Sequence, residues 1–177
     1  YIFDAREALS RTFPRDGRIV FTSGGTESDN MAIFSSCRKM RRRGKKVITT
    51  QLEHPAVLEC MKRLQEDEYE IVYLSSDVNG YVEPQALKAA LDEETVLVSM
   101  MAVNNEVGTI EPVLPCYRIV QDFNREHGTE ILFHTDGVQA FGKVEFNDAP
   151  FDLISISGHK FHGPKGVGAL YIRKGVH

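Results

Sequence analysis

Five short stretches of this sequence combine residue types that can do chemistry. They are Ser23-Gly24-Gly25-Thr26, Glu53-His54, Asn104-Asn105-Glu106, Asp136 with Gln139, and Ser157-Gly158-His159-Lys160. Two adjacent glycines let backbone N–H groups approach an anion, and a helix beginning there adds its positive end, so the first stretch reads as a phosphate site. Its plainer reading is a turn and helix cap, because Thr26-x-x-Asp29 resembles a capping box. It is not a Walker loop, since the Gly-Lys-Ser/Thr ending is absent. Lys160 stands between buried-type residues and the Gly/Pro-rich loop that runs to Gly166. A lysine after a strand is commonly a solvated terminus, but one held near apolar surroundings can form Schiff bases. Asp136 suits a turn or a helix cap. Opposite such a lysine it also suits the carboxylate that pairs with a pyridinium nitrogen. His54 reads equally as a capping or surface histidine and as a proton-transfer group.

The elements that must position these residues are legible as alternating apolar runs and helical stretches. Strands are expected at Arg18–Phe21, Lys46–Thr50, Glu70–Leu74, Thr95–Met101, Ile131–His134, Leu153–Ile156 and Gly168–Arg173. Helices are expected near the start of the chain, from about Glu27 to Arg43 with Gly44 at the C-terminal stop, from Pro55 to Glu66, over Pro84–Leu91 and over Leu114–His127. Asp77-Val-Asn-Gly80 reads as a turn. Near-continuous apolar strands separated by helices predict an α/β fold with a mostly parallel sheet and helices on both faces. The last three strands have no helices between them, so one of them is expected to run antiparallel. Ligands of open α/β sheets bind beyond the carboxyl ends of the strands. Each of the five polar stretches follows a strand, so a parallel sheet brings all five to one rim.

The 177 residues correspond to about one domain, long enough for a core that needs no disulfide or metal. The composition is 42% hydrophobic and 26% charged, with a net charge of −4. This mild acidity disfavours nucleic acid as a partner. The basic run Arg38-Lys-Met-Arg-Arg-Arg-Gly-Lys-Lys46 falls at a helix C-terminus, where cations complement the dipole. No apolar run reaches the ~18 residues of a membrane span, and no signal peptide is visible. Cys37, Cys60 and Cys116 are too few and too far apart for a disulfide framework or a CxxC site, which fits a reducing, cytoplasmic setting. His159 and His162 precede Gly163-Pro164, which forbids a regular helix, so no metal site is expected there.

Taken in order, Phe21-Thr-Ser-Gly-Gly-Thr-Glu-Ser-Asp-Asn30, Glu53-His54, Asn104-Asn-Glu-Val-Gly108, His134-Thr-Asp-Gly-Val-Gln139 and Ser157-Gly-His-Lys160 closely resemble cysteine desulfurases of the NifS/IscS type. These belong to the class V aminotransferase group of pyridoxal-phosphate enzymes, and the likeness runs from about Ala5 to Arg173. The resemblance implies the large domain of a fold-type I transferase, with an antiparallel strand near its C-terminal end. It implies pyridoxal 5'-phosphate as cofactor and assigns roles position by position. Lys160 would form the Schiff base with the cofactor, and Asp136 would pair with the pyridine nitrogen. His54 would stack on the ring and assist proton transfers. Gln139 and Asn105 would lie near the ring hydroxyl, while Gly25, Thr26, Ser157 and His159 would hold the phosphate.

The implied reaction converts L-cysteine to L-alanine. A cysteine thiolate attacks the substrate sulfur, becomes a persulfide and passes sulfur to acceptors such as an iron–sulfur scaffold protein. A thiolate is required because the thiol is a poor nucleophile. The family's catalytic cysteine lies in a Ser-x-Ala-Cys context that none of the three cysteines here shares. Cys37, Cys60 and Cys116 fall within or at the start of helices and read as packing residues. The likeness therefore predicts an incomplete large domain over residues 1–177. The N-terminal segment, the C-terminal small domain, the nucleophile and the arginine for the substrate carboxylate would lie outside it. It predicts little turnover by these residues alone and a homodimer for the longer protein. Gly25 and Gly137 stand where alanine is common in the family, and the segment from Cys116 to Glu130 is slightly longer than in its shortest members. Two other readings compete: a selenocysteine lyase or another class V aminotransferase-like enzyme, and a non-catalytic binding module on the same sheet.

Overall fold

The computed structural model describes residues 1–13, 17–145 and 150–176. Helix α1 (Ile2–Ser10) leads to strand β1 (Gly17–Thr22), α2 (Gly25–Met40), β2 (Lys46–Thr50), α3 (Pro55–Glu66) and β3 (Glu70–Leu74). Then follow α4 (Pro84–Ala90), β4 (Thr95–Met101), α5 (Val113–His127), β5 (Leu132–Asp136), β6 (Leu153–Ser157), a 3₁₀ turn at Gly158–Phe161, and β7 (Gly168–Arg173). The seven strands form one sheet in the order β1-β7-β6-β5-β4-β2-β3. Strands β2 to β6 pair parallel, and β7 is antiparallel to both β6 and β1. The antiparallel member of the last three strands is thus β7. Because it is flanked on both sides by antiparallel pairings, β1 runs with the parallel set, and the end of β1 reaches the same rim as the ends of β2, β4, β5 and β6.

The period-2 alternation of strand side chains divides the core. Ile48, Val98 and Phe133 point to one face, where α4 and α5 cover them with Leu87, Val113, Cys116, Tyr117 and Val120. Val47 and Leu97, one residue earlier on their strands, point to the other face, where α2 and α3 contribute Ile33, Cys37, Met40, Val57, Cys60, Met61 and Leu64. Strands β2, β4 and β6 are buried along their whole length, which fits their near-continuous apolar character, with Thr49, Ser99 and Ser155 as buried polar members. In contrast, α1 has no buried residue. It lies against β1, with the Arg6 guanidinium 5.2 Å from the centre of the Phe21 ring. No described helix is long and apolar enough to cross a membrane.

Several element ends differ from the expected ones for physical reasons. Helix α2 begins at Gly25 and stops at Met40. Gly44 is not its C-terminal cap. A Cβ there would lie 2.1 Å from the Glu94 carbonyl oxygen, so glycine is required by the close passage of the strand leading into β4. Strand β5 starts one residue later than expected and runs two residues further, and its last residue is Asp136.

Candidate active site

The carboxyl rim forms a cavity of about 330 Å³ lined by Gly25, Thr26, Asp29, His54, Met101, Asn105, Asp136, Val138, Gln139, Ser157, His159 and Lys160. Every residue singled out from the sequence as catalytic or cofactor-binding lies in this wall. A groove of about 520 Å³ on the outer side of α2 is lined instead by solvated charges, including Arg38, Arg41, Glu66 and Asp67, so part of the basic run sits in a mixed-sign surface.

The first wall is the turn between β1 and α2. The N-cap of α2 is Gly24, and no side chain caps the helix, so the capping-box reading of Thr26 and Asp29 fails. Thr26 belongs to the first helical turn and is exposed. The turn is fixed from behind. The Thr22 hydroxyl donates to the Gly24 carbonyl at 3.0 Å and shares a 2.8 Å hydrogen bond with Ser28 Oγ, while the Ser23 N–H donates to Glu27 at 2.6 Å. A Cβ at Gly168, the first residue of β7, would lie 2.6 Å from the Gly24 carbonyl carbon. The helix N-terminus thus faces the cavity with its early N–H groups and no side chain of its own across them.

The second wall is the loop after β2. Pro55 is the first residue of α3, and His54 is its N-cap, accepting the Ala56 N–H at Nδ1 over 3.1 Å. His54 is therefore both a cap and a cavity residue, and the two readings were never exclusive. Glu53 turns inward. Its Oε1 accepts from the Thr50 hydroxyl at 2.8 Å and from the Met101 N–H at 2.9 Å, which ties the ends of β2 and β4 together. Burial holds its pKa well above the ordinary carboxylate value. Asn104 ties the same ends, donating to the Leu52 carbonyl at 3.1 Å. Its Oδ1 accepts the N–H groups of Glu106 and Val107, each at 2.9 Å, and so shapes the loop that carries Asn105.

The floor is acidic. Asp136 is 5% exposed, and its Oδ1 accepts the Val138 N–H at 2.9 Å, so it also anchors the turn that presents Gln139. Burial first, and the neighbouring Asp29 charge second, push its pKa up to about 7. Behind it His134 is fully buried between Ser99 Oγ and Ser155 Oγ, each at 2.9 Å. Burial pulls its pKa down to about 4, so the imidazole is neutral at physiological pH.

The remaining wall is the 3₁₀ turn after β6. Ser157 Oγ lies 3.1 Å from His159 Nδ1, and Lys160 follows, half-buried. The loop beyond closes on itself through the Gly158 N–H to the Val167 carbonyl and the Gly163 N–H to the Gly158 carbonyl, both 2.8 Å. Phe161 packs edge-on against Phe141 at 4.9 Å. Lys160 is thus held on a braced turn rather than on a free strand terminus. None of the three cysteines lines this cavity. All are buried, and desolvation raises each thiol to about 12.

Met101, Val138 and Asp29 are cavity residues that the sequence reading did not assign to the site. Asp29 had a usable signal. It lies four residues after Gly25 on a helix, and positions i and i+4 share a face.

Fold and site together define an α/β domain that gathers a helix N-terminus without a side-chain cap, a buried acid and an amine at the carboxyl rim of its sheet. Residues 4–177 match the aminotransferase class-V family, and the chain belongs to it. Similar curated relatives include the cysteine desulfurases IscS of Dictyoglomus turgidum and of Methanosarcina thermophila. The first is 47% identical over 99% of this chain and 44% of its own length, and the second 46% identical over 97% and 41%. A solved NifS-like protein superposes with a TM-score of 0.89 at 44% identity, covering 98% of this chain and 47% of that one. DndA from Streptomyces lividans superposes at 0.84 with 39% identity, covering 96% and 47%. The chain thus spans less than half the length of these relatives.

Proposed function

We propose that this chain is the cofactor-binding part of a pyridoxal-phosphate-dependent cysteine desulfurase. The observation that carries the reading is the single cavity that joins Lys160, Asp136, His54 and the N-terminus of α2. The residues present fit the cofactor. A Cβ at Gly25 would come 2.6 Å from Val138 Cγ2 and 3.5 Å from Ser157 Cβ, so glycine leaves a cradle open beside the helix N-terminus. Around that cradle stand the N–H groups of Gly25 and Thr26 and the side chains of Thr26, Ser157 and His159, a donor set suited to a phosphate dianion. Asp136 is a buried acid suited to a protonated pyridine nitrogen, and Lys160 is an amine suited to an aldehyde.

In this reading His54 would cover one face of the ring and relay protons, and Gln139 and Asn105 would hydrogen-bond the ring hydroxyl. When bound, the cofactor supplies an electron sink for negative charge at the substrate α-carbon. The amine of Lys160 would then be the group that moves the proton at that carbon. The C–S bond of the substrate breaks as a thiolate takes its sulfur, giving a persulfide and L-alanine. That thiolate comes from outside residues 1–177, because Cys37, Cys60 and Cys116 are buried and protonated. Residues 1–177 alone therefore turn over no cysteine. The sulfur then passes to an acceptor such as an iron–sulfur scaffold protein. A homodimer fits the exposed Val107 and Ile110 beside Asn105, which leave apolar surface for a partner subunit, and a cytoplasmic setting fits the unpaired cysteines.

Two measurements test this separately. Protein supplied with pyridoxal phosphate is expected to show a visible band at roughly 400–430 nm that Lys160→Ala abolishes. Absence of the band, or its persistence in the variant, refutes the cofactor assignment. Release of sulfide and alanine from L-cysteine by the longer protein tests the desulfurase assignment, and a loaded protein that releases neither refutes it.

A further inference from the structure

Helix α2 meets the cavity twice, at Gly25 and one turn later at Asp29. Asp29 is 1% exposed. Its Oδ1 lies 3.5 Å from His134 Nε2 and has no hydrogen-bond partner. That nitrogen is already engaged with Ser155 Oγ at 2.9 Å, and the other ring nitrogen with Ser99 Oγ. His134 is neutral and fully enclosed, so it cannot compensate a charge on Asp29. The other ionisable groups around Asp29 give no better partner. Asp136 and Glu53 are acids and Cys60 is a protonated thiol; His54 and Lys160 line the same cavity, but neither forms an ion pair with Asp29. Two carboxylates sharing a buried wall cannot both ionise to meet one ring nitrogen.

We propose that Asp29 is a positioning residue of the cofactor floor that keeps the proton of the Asp29–Asp136 pair, leaving Asp136 as the ionised member facing the ring nitrogen. The proposal rests on the pyridoxal-phosphate reading and deepens it. Asp29 acts through Asp136 and not on the substrate. Desolvation supports the assignment, raising Asp29 to about 7, with the Ser155 hydroxyl pulling the other way. The proton balance is closed. In the loaded site the floor would hold one proton and present a charge of −1, matched to one pyridinium.

Carboxyl ¹³C NMR of aspartate-labelled protein, with and without pyridoxal phosphate, tests this independently of turnover. Without cofactor, two carboxyls are expected to titrate near neutrality. Asp29→Asn should remove one and lower the midpoint of the Asp136 signal by about one pH unit, because a like charge has been removed. Ser155→Ala leaves both acids in place and should raise the Asp29 midpoint, which provides the test if Asp29→Asn does not fold. With cofactor, Asp136 should be ionised from about pH 6 upward while Asp29 stays protonated at about pH 8. An ionised Asp29 at pH 6 in the loaded protein, an unmoved Asp136 midpoint in Asp29→Asn, or an unmoved Asp29 midpoint in Ser155→Ala overturns the proposal. A wild-type protein that gains no visible band overturns the cofactor reading instead, whatever the cofactor-free titrations give.

Discussion

Gly168→Ala should loosen the end of the cavity proposed to hold the phosphate without touching any residue that lines it. Gly168 pairs with Thr22 on β1 and with Ser157 on β6, so it sits between the two loops assigned to the phosphate. A Cβ there would lie 2.6, 2.7 and 2.8 Å from the carbonyl carbon, Cα and carbonyl oxygen of Gly24, whereas ordinary contact begins at 3.4 Å. The neighbour is backbone and cannot rotate away, so Gly24 must move by about 0.8 Å. The Gly24 carbonyl accepts hydrogen bonds of 3.0 and 3.2 Å from the Thr22 and Ser28 hydroxyls, and a shift of that size breaks their geometry. Overpacking of this kind costs about 1–3 kcal/mol. Donors must also hold a ligand to within roughly 0.5 Å, so affinity for pyridoxal phosphate should fall at least about tenfold, the equivalent of about 1.4 kcal/mol. Binding of pyridoxal, which lacks the phosphate, should change much less. Spectroscopic titration with both ligands separates a local from a general effect. Asn124→Ala serves as the control. It loses the hydrogen bonds of Asn124 to Thr129 and Ile131, which lie before β5, at the opposite rim. It should lower stability and leave the ratio of the two affinities intact. A Gly168→Ala protein with the wild-type ratio would refute the claim that close packing at Gly24 sets the phosphate loop.

Three further outcomes follow from the same geometry. The stability of cofactor-free protein should fall between about pH 5 and 7. Asp29, Asp136 and Glu53 keep protons in the folded state that the unfolded chain releases near its ordinary carboxylate values of 3.8 and 4.5, and the main opposing group within this range is His134, lowered to about 4. Each fully effective group contributes a slope of about 1.4 kcal/mol per pH unit, so three acids outweigh one histidine. Stability rising over that range by urea denaturation would contradict the assignment, and Asp29→Asn should flatten the slope. The three thiols should resist alkylation in the native protein at about pH 8, where a pKa of about 12 leaves roughly one part in 10⁴ as thiolate, and should react on unfolding. Gly25→Ala should weaken pyridoxal-phosphate binding through contact with Val138, and Val138→Ala in the same protein should restore it, since the obstructing atom is a side-chain methyl.

The residues readable from sequence are those whose position follows from periodicity alone. A strand that ends in a polar residue announces its rim, and Glu53, Asn105, Asp136 and Ser157 were found this way. What sequence could not supply was register. Whether β1 delivers Gly24 and Gly25 to the same rim depends on β7 being antiparallel to both neighbours, and no local pattern in Gly168–Arg173 specifies that. The role of Gly168 is invisible for the same reason, because its partner Gly24 is distant in sequence. Asp29 was hidden by a competing local rule. Thr26-x-x-Asp29 matches a capping box, and only the helix start at Gly25, one residue before Thr26, turns Asp29 inward.

That inward turn also explains how one helix can serve both ends of a ligand. A helix N-terminus carries roughly half a positive charge, worth about 0.3–1 kcal/mol to a nearby anion and up to ~2 kcal/mol when partly buried. An ionised Asp29 one turn into α2 would take up that field and oppose a phosphate bound at Gly25 and Thr26. Burial has the larger effect, since a pKa moved from 3.8 to about 7 corresponds to roughly 4 kcal/mol against the ionised form. Below about pH 7 the carboxyl is therefore mostly neutral, and the field remains available to a phosphate. Glu27 does not spoil this. Its carboxylate is fully exposed, is screened by water, and is held below the ordinary range by the Ser23 N–H. The desolvation that holds a proton on Asp29 is thus the same effect that keeps the N-terminus of α2 positive. Asp29→Asn should consequently preserve the affinity of the empty site for inorganic phosphate at about pH 5, below the Asp29 midpoint, and tighten it at about pH 8, where the wild-type carboxyl has ionised.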